Sequence, residues 1–166
     1  MGDIKVLEAK NGTTSPKGGD SVATILESEA RSITKEWLRR INDDENLCAI
    51  ELDDRTRSSH LGQLFKDLVH RLRNPLPLGT KGVRSNSAHK HGLTRRKQGY
   101  SAAMLIEESR ILQVSIFDTL DKNEHRVDFK VLLPDVMVIA EELDLQLAEA
   151  MTSYIGEEGT LSRRAA

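Results

Sequence analysis

The sequence predicts an all-α fold, an antiparallel helical bundle of four long helices plus a short helix before a central Gly corner. Three observations predict it. Apolar residues recur at three- and four-residue steps along most of the chain, which places them on single helical faces. Aromatic residues make up only 4% and prolines number four, poor material for a β-sandwich and good material for helices. No strand pattern competes, because the one ambiguous apolar run, "VLLPDVMVI", has a proline where a central strand needs a donor.

Residues 1–20 include "KNGTTSPKGGD", which lacks an apolar period and is expected to be a flexible leader. Residues 21–156 are expected to form a single helical domain, followed by a polar tail over 157–166. The first helix carries the stripe Val22, Leu26, Ala30, Ile33, Trp37 and Ile41, with Asp20 or Ser21 as its cap, and "NDDEN" ends it. The second begins near Asp53 or Asp54, buries Leu61, Leu64, Phe65, Leu68 and Leu72, and stops before Pro75. A short helix spans about 86–98. The next runs from Ala102 to about Asn123 on a face that includes Leu105, Ile111, Leu112, Ile116 and Leu120, with Glu108 as its charged exception. The last begins between Val127 and Leu133 and reaches Ile155 on the stripe Val136, Ala140, Leu143, Leu147, Met151 and Tyr154. Pro134 falls in its first turns, and Gly156 is the expected C-cap.

The chain has 166 residues, 30% of them charged, and a net charge of −2, so bulk charge does not mark it as a nucleic-acid binder. Its single cysteine, Cys48, allows no internal disulfide, points to a reducing compartment and reads as core or partly buried filler. No apolar run approaches the roughly 18–20 residues of a membrane span, and the N-terminus has no signal-peptide pattern. A soluble, cytoplasmic protein is expected.

The stretch "AHKHGLTRRKQGYSAAMLIEESRIL" concentrates the chemistry. Arg95, Arg96 and Lys97 suit the negative end of a helix, and Gly99 suits the left-handed position after it. Ser101 can cap the next helix, and Tyr100 and Leu105 have the spacing of a hydrophobic staple. Arg95 and Glu108 are expected to pair across this corner, with His91 and Gln98 bonding backbone at the helix ends. His89 and His91 point apart on a helix, and no HExxH or CxxC pattern is present, so no metal and no cofactor are expected. Glu107 and Glu108 also diverge. With no P-loop, dinucleotide glycine pattern or GxSxG, no catalytic residue is assigned and an enzyme is not expected. No acidic residue falls between Asp67 and Glu107, a gap that holds Arg71, Arg73, Lys81, Arg84, Lys90, Arg95, Arg96 and Lys97. It reads as a basic surface balancing acidic neighbours, or as an anion site.

"HGLTRRKQGYSAAMLIEESRIL" resembles the signature of the RsbT co-antagonist protein RsbRD N-terminal domain family. The residues that carry the resemblance are His91, Gly92, Arg95, Gln98, Gly99, Tyr100, Ser101, Leu105, Glu108 and Leu112. "ITKEWLRRI", "LGQLFKDLVHRL" and "EELDLQLAEAMTSYI" are similar to its flanking helices, so the resemblance covers about residues 22–156. It implies a helical sensory input module of bacterial stress-response regulators, where it is joined to a STAS domain, and of some sensor histidine kinases. Eleven residues follow Ile155, too few for a STAS or kinase core, so either the output is expected on another chain or the sequence is a detached input fragment.

The expected function is therefore a non-catalytic regulatory module acting through helix rearrangement or protein contact. Its expected partner is a STAS-domain protein, switch kinase or histidine kinase, with a homodimer and a small anionic ligand as further candidates. His91, Arg95, Gln98, Tyr100 and Glu108 form the candidate ligand or partner site. One rival is a helical anion or nucleic-acid binder using the basic 71–97 segment, weakened by the lack of interleaved aromatics. The other is a small enzyme using His89, His91 and Glu108.

Overall fold

The computed structural model describes residues 20–80 and 84–164, with side chains as far as Gly156. Apart from Asp20, the expected leader lies outside the described residues, as does Lys81. The described residues form helices and no strand: α1 (Val22–Asp43), α2 (Glu45–Cys48), α3 (Asp54–Ser58), α4 (Leu61–Arg73), α5 (Asn86–Lys97), α6 (Ala102–Lys122) and α7 (Phe129–Arg164), with a 3₁₀ turn at Glu124–Arg126 before α7. None of these helices is long and apolar enough to cross a membrane.

Local sequence accounts for most boundaries. Ser21 Oγ accepts from the Thr24 amide to start α1, and Asp53 Oδ1 accepts from the Thr56 amide to start α3. The Asn123 side chain returns to the Thr119 carbonyl at the end of α6. Asp128 bonds the Lys130 amide and opens α7. The α1 stripe is buried at Val22, Leu26, Ile33, Trp37 and Ile41, and the α6 stripe from Leu105 to Leu120 faces it. The core fills the space between α1, α4, α6 and the middle of α7, while α5 packs chiefly on α7.

Several expectations need correction. The second helix is not continuous but breaks after Ser58. The Ser58 and Ser59 hydroxyls bond the Asp54 and Thr56 carbonyls, which competes with the regular helical ladder, and His60 becomes the residue that opens α4. The α2 turn, capped by Asp44, was not expected, and it buries Leu47 while leaving Cys48 exposed rather than in the core. The buried face of α7 runs through Ile139, Leu143, Gln146, Ala150 and Ser153, so the expected stripe flanks it and is half-buried except at Leu143. Gly156 does not stop α7, which continues to Arg164. One glycine costs a helix only about 1 kcal/mol, too little to end it alone.

Candidate functional site

The α5–α6 corner is built from backbone first. The Tyr100 amide bonds the Arg95 carbonyl and the Gly99 amide bonds the Arg96 carbonyl, each at 3.0 Å, the two bonds of a Schellman stop. Gly99 supplies the left-handed residue at φ +87°. Ser101 Oγ then accepts from the Met104 amide at 3.2 Å and starts α6. Tyr100 and Leu105 are both buried, as a staple requires. Helices α5 and α6 do not lie along one another after this corner. Instead α5 turns onto α7, where the Gly92 backbone meets Ala150 and Ser153 too closely for a Cβ to fit.

Arg95 and Glu108 meet at the corner, and both are almost fully buried. Arg95 Nε lies 2.9 Å from Glu108 Oε2 and 3.1 Å from Oε1, and Nη2 donates to Oε1. The rest of the guanidinium is used as well: Nη1 donates to Gln98 Oε1 at 2.8 Å and Nη2 to the Arg57 carbonyl. Its carbon sits 4.9 Å from the Tyr100 ring centroid. Gln98 therefore serves the arginine side chain rather than a helix-end backbone group. The Trp37 indole donates to the Glu108 carbonyl at 3.2 Å, tying α1 to the same point.

Tyr100 is shared in two directions. Its hydroxyl accepts from Arg57 Nη1 at 2.8 Å, and its carbonyl accepts from the Tyr154 hydroxyl of α7 at 2.7 Å. Burial and the Glu108 charge push the Tyr100 phenol up, against the pull of Arg95 and Arg57. Arg57 was not anticipated. It is 2% exposed and also donates to the Leu47 and Ile50 carbonyls, so it fastens the α2–α3 connection to the corner. Four residues before Leu61, it lies on the apolar stripe that continues to Leu64 and Leu68, and this was its signal in the sequence.

His91 does not bond a helix end. Its Nε2 lies 3.5 Å from Glu108 Oε2, and its ring stacks on His60 with centroids 3.8 Å apart and planes 20° apart. Trp37 meets the other side of the pair, its ring edge-on to His60 at 5.8 Å. His60 was also missed by sequence reasoning, although it sits four residues before Leu64. As a residue it is half-buried, and its Nδ1 is sealed from solvent, with the Arg57 backbone the hydrogen-bonding group that acts on the ring. Burial holds the His60 imidazole well below its ordinary range, helped by the His91 and Arg95 charges and opposed by Glu108. Burial would raise the Glu108 carboxyl, but the His91 contact, the His60 charge and the Arg95 fork prevail and hold it at about 2. A cavity of about 40 Å³ adjoins this cluster, lined by His60, His91, Glu108, Ser109, Leu143 and Gln146 among others.

The remaining expected residues lie elsewhere. His89 is exposed on α5, 3.5 Å from Glu149, and Glu107 pairs with Arg110 at the surface. Within the basic segment Arg71 bonds Glu141, Arg73 bonds Glu27, Arg95 bonds Glu108, and Arg96 donates to the Tyr154 carbonyl. No protein-family model, curated protein or solved structure matches the chain.

Proposed function

We propose that the chain is a non-catalytic, cytoplasmic input module of bacterial stress-response or two-component signalling, of the RsbRD N-terminal kind, arranged as an antiparallel bundle of its long helices. The observation that carries this reading is the buried corner itself. The signature residues Arg95, Gln98, Tyr100 and Glu108 bond mainly one another, Arg57 and Trp37, and through Tyr154 they reach α7. Such a network suits a two-state mechanical joint, in which a small shift at the corner moves a long helix. It is poorly suited to acid–base chemistry near neutral pH, because the Glu108 carboxyl is held at about 2 and is a weak base there.

Along the start of α7, Phe129, Leu133 and Met137 recur every four residues and are exposed, a face that suits contact with a signalling protein. The test is affinity capture from native lysate with the retained proteins identified by mass spectrometry. A STAS-domain protein, switch kinase or histidine kinase retained by the wild-type chain and lost in Phe129→Glu/Leu133→Glu supports the reading. Capture of none of these classes overturns it.

The anion-binding alternative draws on one specific feature. A cleft of about 670 Å³ between α4 and α5 is lined by His70, Arg71, Arg84 and Lys90, tempered by Asp67 and Glu142. Salt-sensitive binding of a phosphate compound, weakened by Lys90→Ala, would favour it.

A further inference from the structure

We propose that His60, His91 and Glu108 form a binding site for one divalent transition-metal ion. The three come from the start of α4, the middle of α5 and the first turns of α6. One ligand atom from each lies within 4.8 Å of the other two. Two imidazoles and a carboxylate are a set that zinc and its first-row neighbours accept, with a fourth position left for water. The adjoining cavity of about 40 Å³ has room for that water, which needs roughly 10–15 Å³.

The site is assembled but not closed. Metal–ligand bonds of about 2.0–2.2 Å put donors roughly 3.3 Å apart in a tetrahedron, so the set must draw in by about an ångström or more. The stacked imidazoles direct their lone pairs side by side, and one ring must turn for both to meet one ion. His60 is the ring that must turn, at the expense of its packing on His91 and Trp37. It opens α4 without a side-chain cap bond, and the cavity lies beside it.

Glu108 keeps an acceptor site for the ion. Arg95 places two bonds on Oε1 and one on Oε2, and Oε2 is the oxygen facing His91 Nε2. A carboxylate has about four lone-pair sites, so Arg95 orients it as an outer partner without filling it. The positive Arg95 opposes the ion, which points to binding weaker than that of an all-cysteine structural zinc. His89, two residues away, is exposed beside Glu149 and belongs to no such cluster.

The experiment is calorimetric titration of the chelator-stripped full chain with Zn²⁺, alongside visible absorption with Co²⁺. About one ion per chain is expected, with Co²⁺ bands of a tetrahedral or five-coordinate site. His60→Phe, which keeps the ring stack, and His91→Ala should each weaken binding by about tenfold or more, whereas His89→Ala should not. Circular dichroism checks that each variant is folded. If one is not, the ring protons of His60 and His91 are followed by NMR in the wild type during Zn²⁺ titration, and both must shift. The proposal is overturned by the absence of one-equivalent binding, by unchanged affinity in His60→Phe, by loss in His89→Ala alone, or by unmoved rings. Partner capture repeated in chelator separates this result from the signalling reading, since the two can fail independently.

Discussion

Arg95 holds Glu108 across the Gly99 corner with its Nε and Nη2 both on the carboxylate, and neither residue is more than 2% exposed. A buried pair of this kind adds little net stability over an apolar pair, but removing one partner strands the other charge. Arg95→Ala and Glu108→Ala are each expected to cost about 3–5 kcal/mol, and the double variant less than their sum. Urea denaturation of the four proteins measures the coupling. Additive losses would show that the two side chains act separately.

Trp37 is the second member of the same junction. It has no exposed surface, and its indole nitrogen donates to the Glu108 carbonyl. Its emission is expected to be blue-shifted, closed to iodide quenching, and to move red on unfolding. Trp37→Phe should cost about 1 kcal/mol or more, from the lost bond and the smaller ring, and Trp37→Ala about 3–5 kcal/mol. Native emission that iodide quenches readily would place this side chain on the wrong face.

Two groups of the corner tie its stability to pH. His60 is depressed below its unfolded value of 6.5, so the unfolded chain takes its proton first. The stability it contributes is complete above that value and is lost as pH falls below it. Glu108 lies at about 2 against 4.5, so its contribution is present above 4.5 and disappears on descent toward 2. That gap corresponds to about 3 kcal/mol at the usual conversion. In chelator, thermal melts should therefore be flat above about pH 7, decline below about 6.5, and fall further below about 4.5. His60→Phe should remove the first decline and make the second smaller, since His60 is one of the groups that hold Glu108 low. A wild-type curve flat from pH 7 to 5 would count against the depressed His60.

How far the sequence reveals this site follows from its physics. The corner was legible because glycine, serine and the apolar spacing act locally: Gly99, Ser101, Tyr100 and Leu105 do what their types dictate. The Arg95–Glu108 pair was legible because a carboxylate on an apolar face requires a cation, and the corner limits where one can come from. His60 and Arg57 were not recognised, because a polar residue at the edge of a stripe reads as a solvated boundary unless its distant partner is known. Only tertiary packing sets His60 on His91 and Arg57 on Tyr100. The face of α7 was misplaced for a related reason. Large side chains suggested one stripe, but α7 meets α5 through its small residues Ala150 and Ser153.

That small-residue contact gives the sharpest packing prediction. Gly92 lies in the interior of α5, where glycine weakens a helix by about 1 kcal/mol relative to alanine. On propensity alone, Gly92→Ala should therefore stabilise. The structure predicts the opposite sign, because a Cβ there would press into the Ala150 carbonyl and the Ser153 hydroxyl, well inside van der Waals contact. The hydroxyl could rotate away, at the loss of its bond to the His89 carbonyl, but the Ala150 carbonyl belongs to the α7 backbone and cannot. Helix α5 must then lift from α7, and overpacking of this kind costs about 1–3 kcal/mol. Gly62 is the control: it is also helical, in the first turn of α4, and nothing lies within 4 Å of its would-be Cβ. Gly62→Ala should raise stability by about 0.4–1 kcal/mol, chiefly by restricting the unfolded chain. Chemical denaturation of both variants reads the difference. A Gly92→Ala protein as stable as Gly62→Ala would mean that α5 does not approach α7 as closely as the Gly92–Ala150 contact requires.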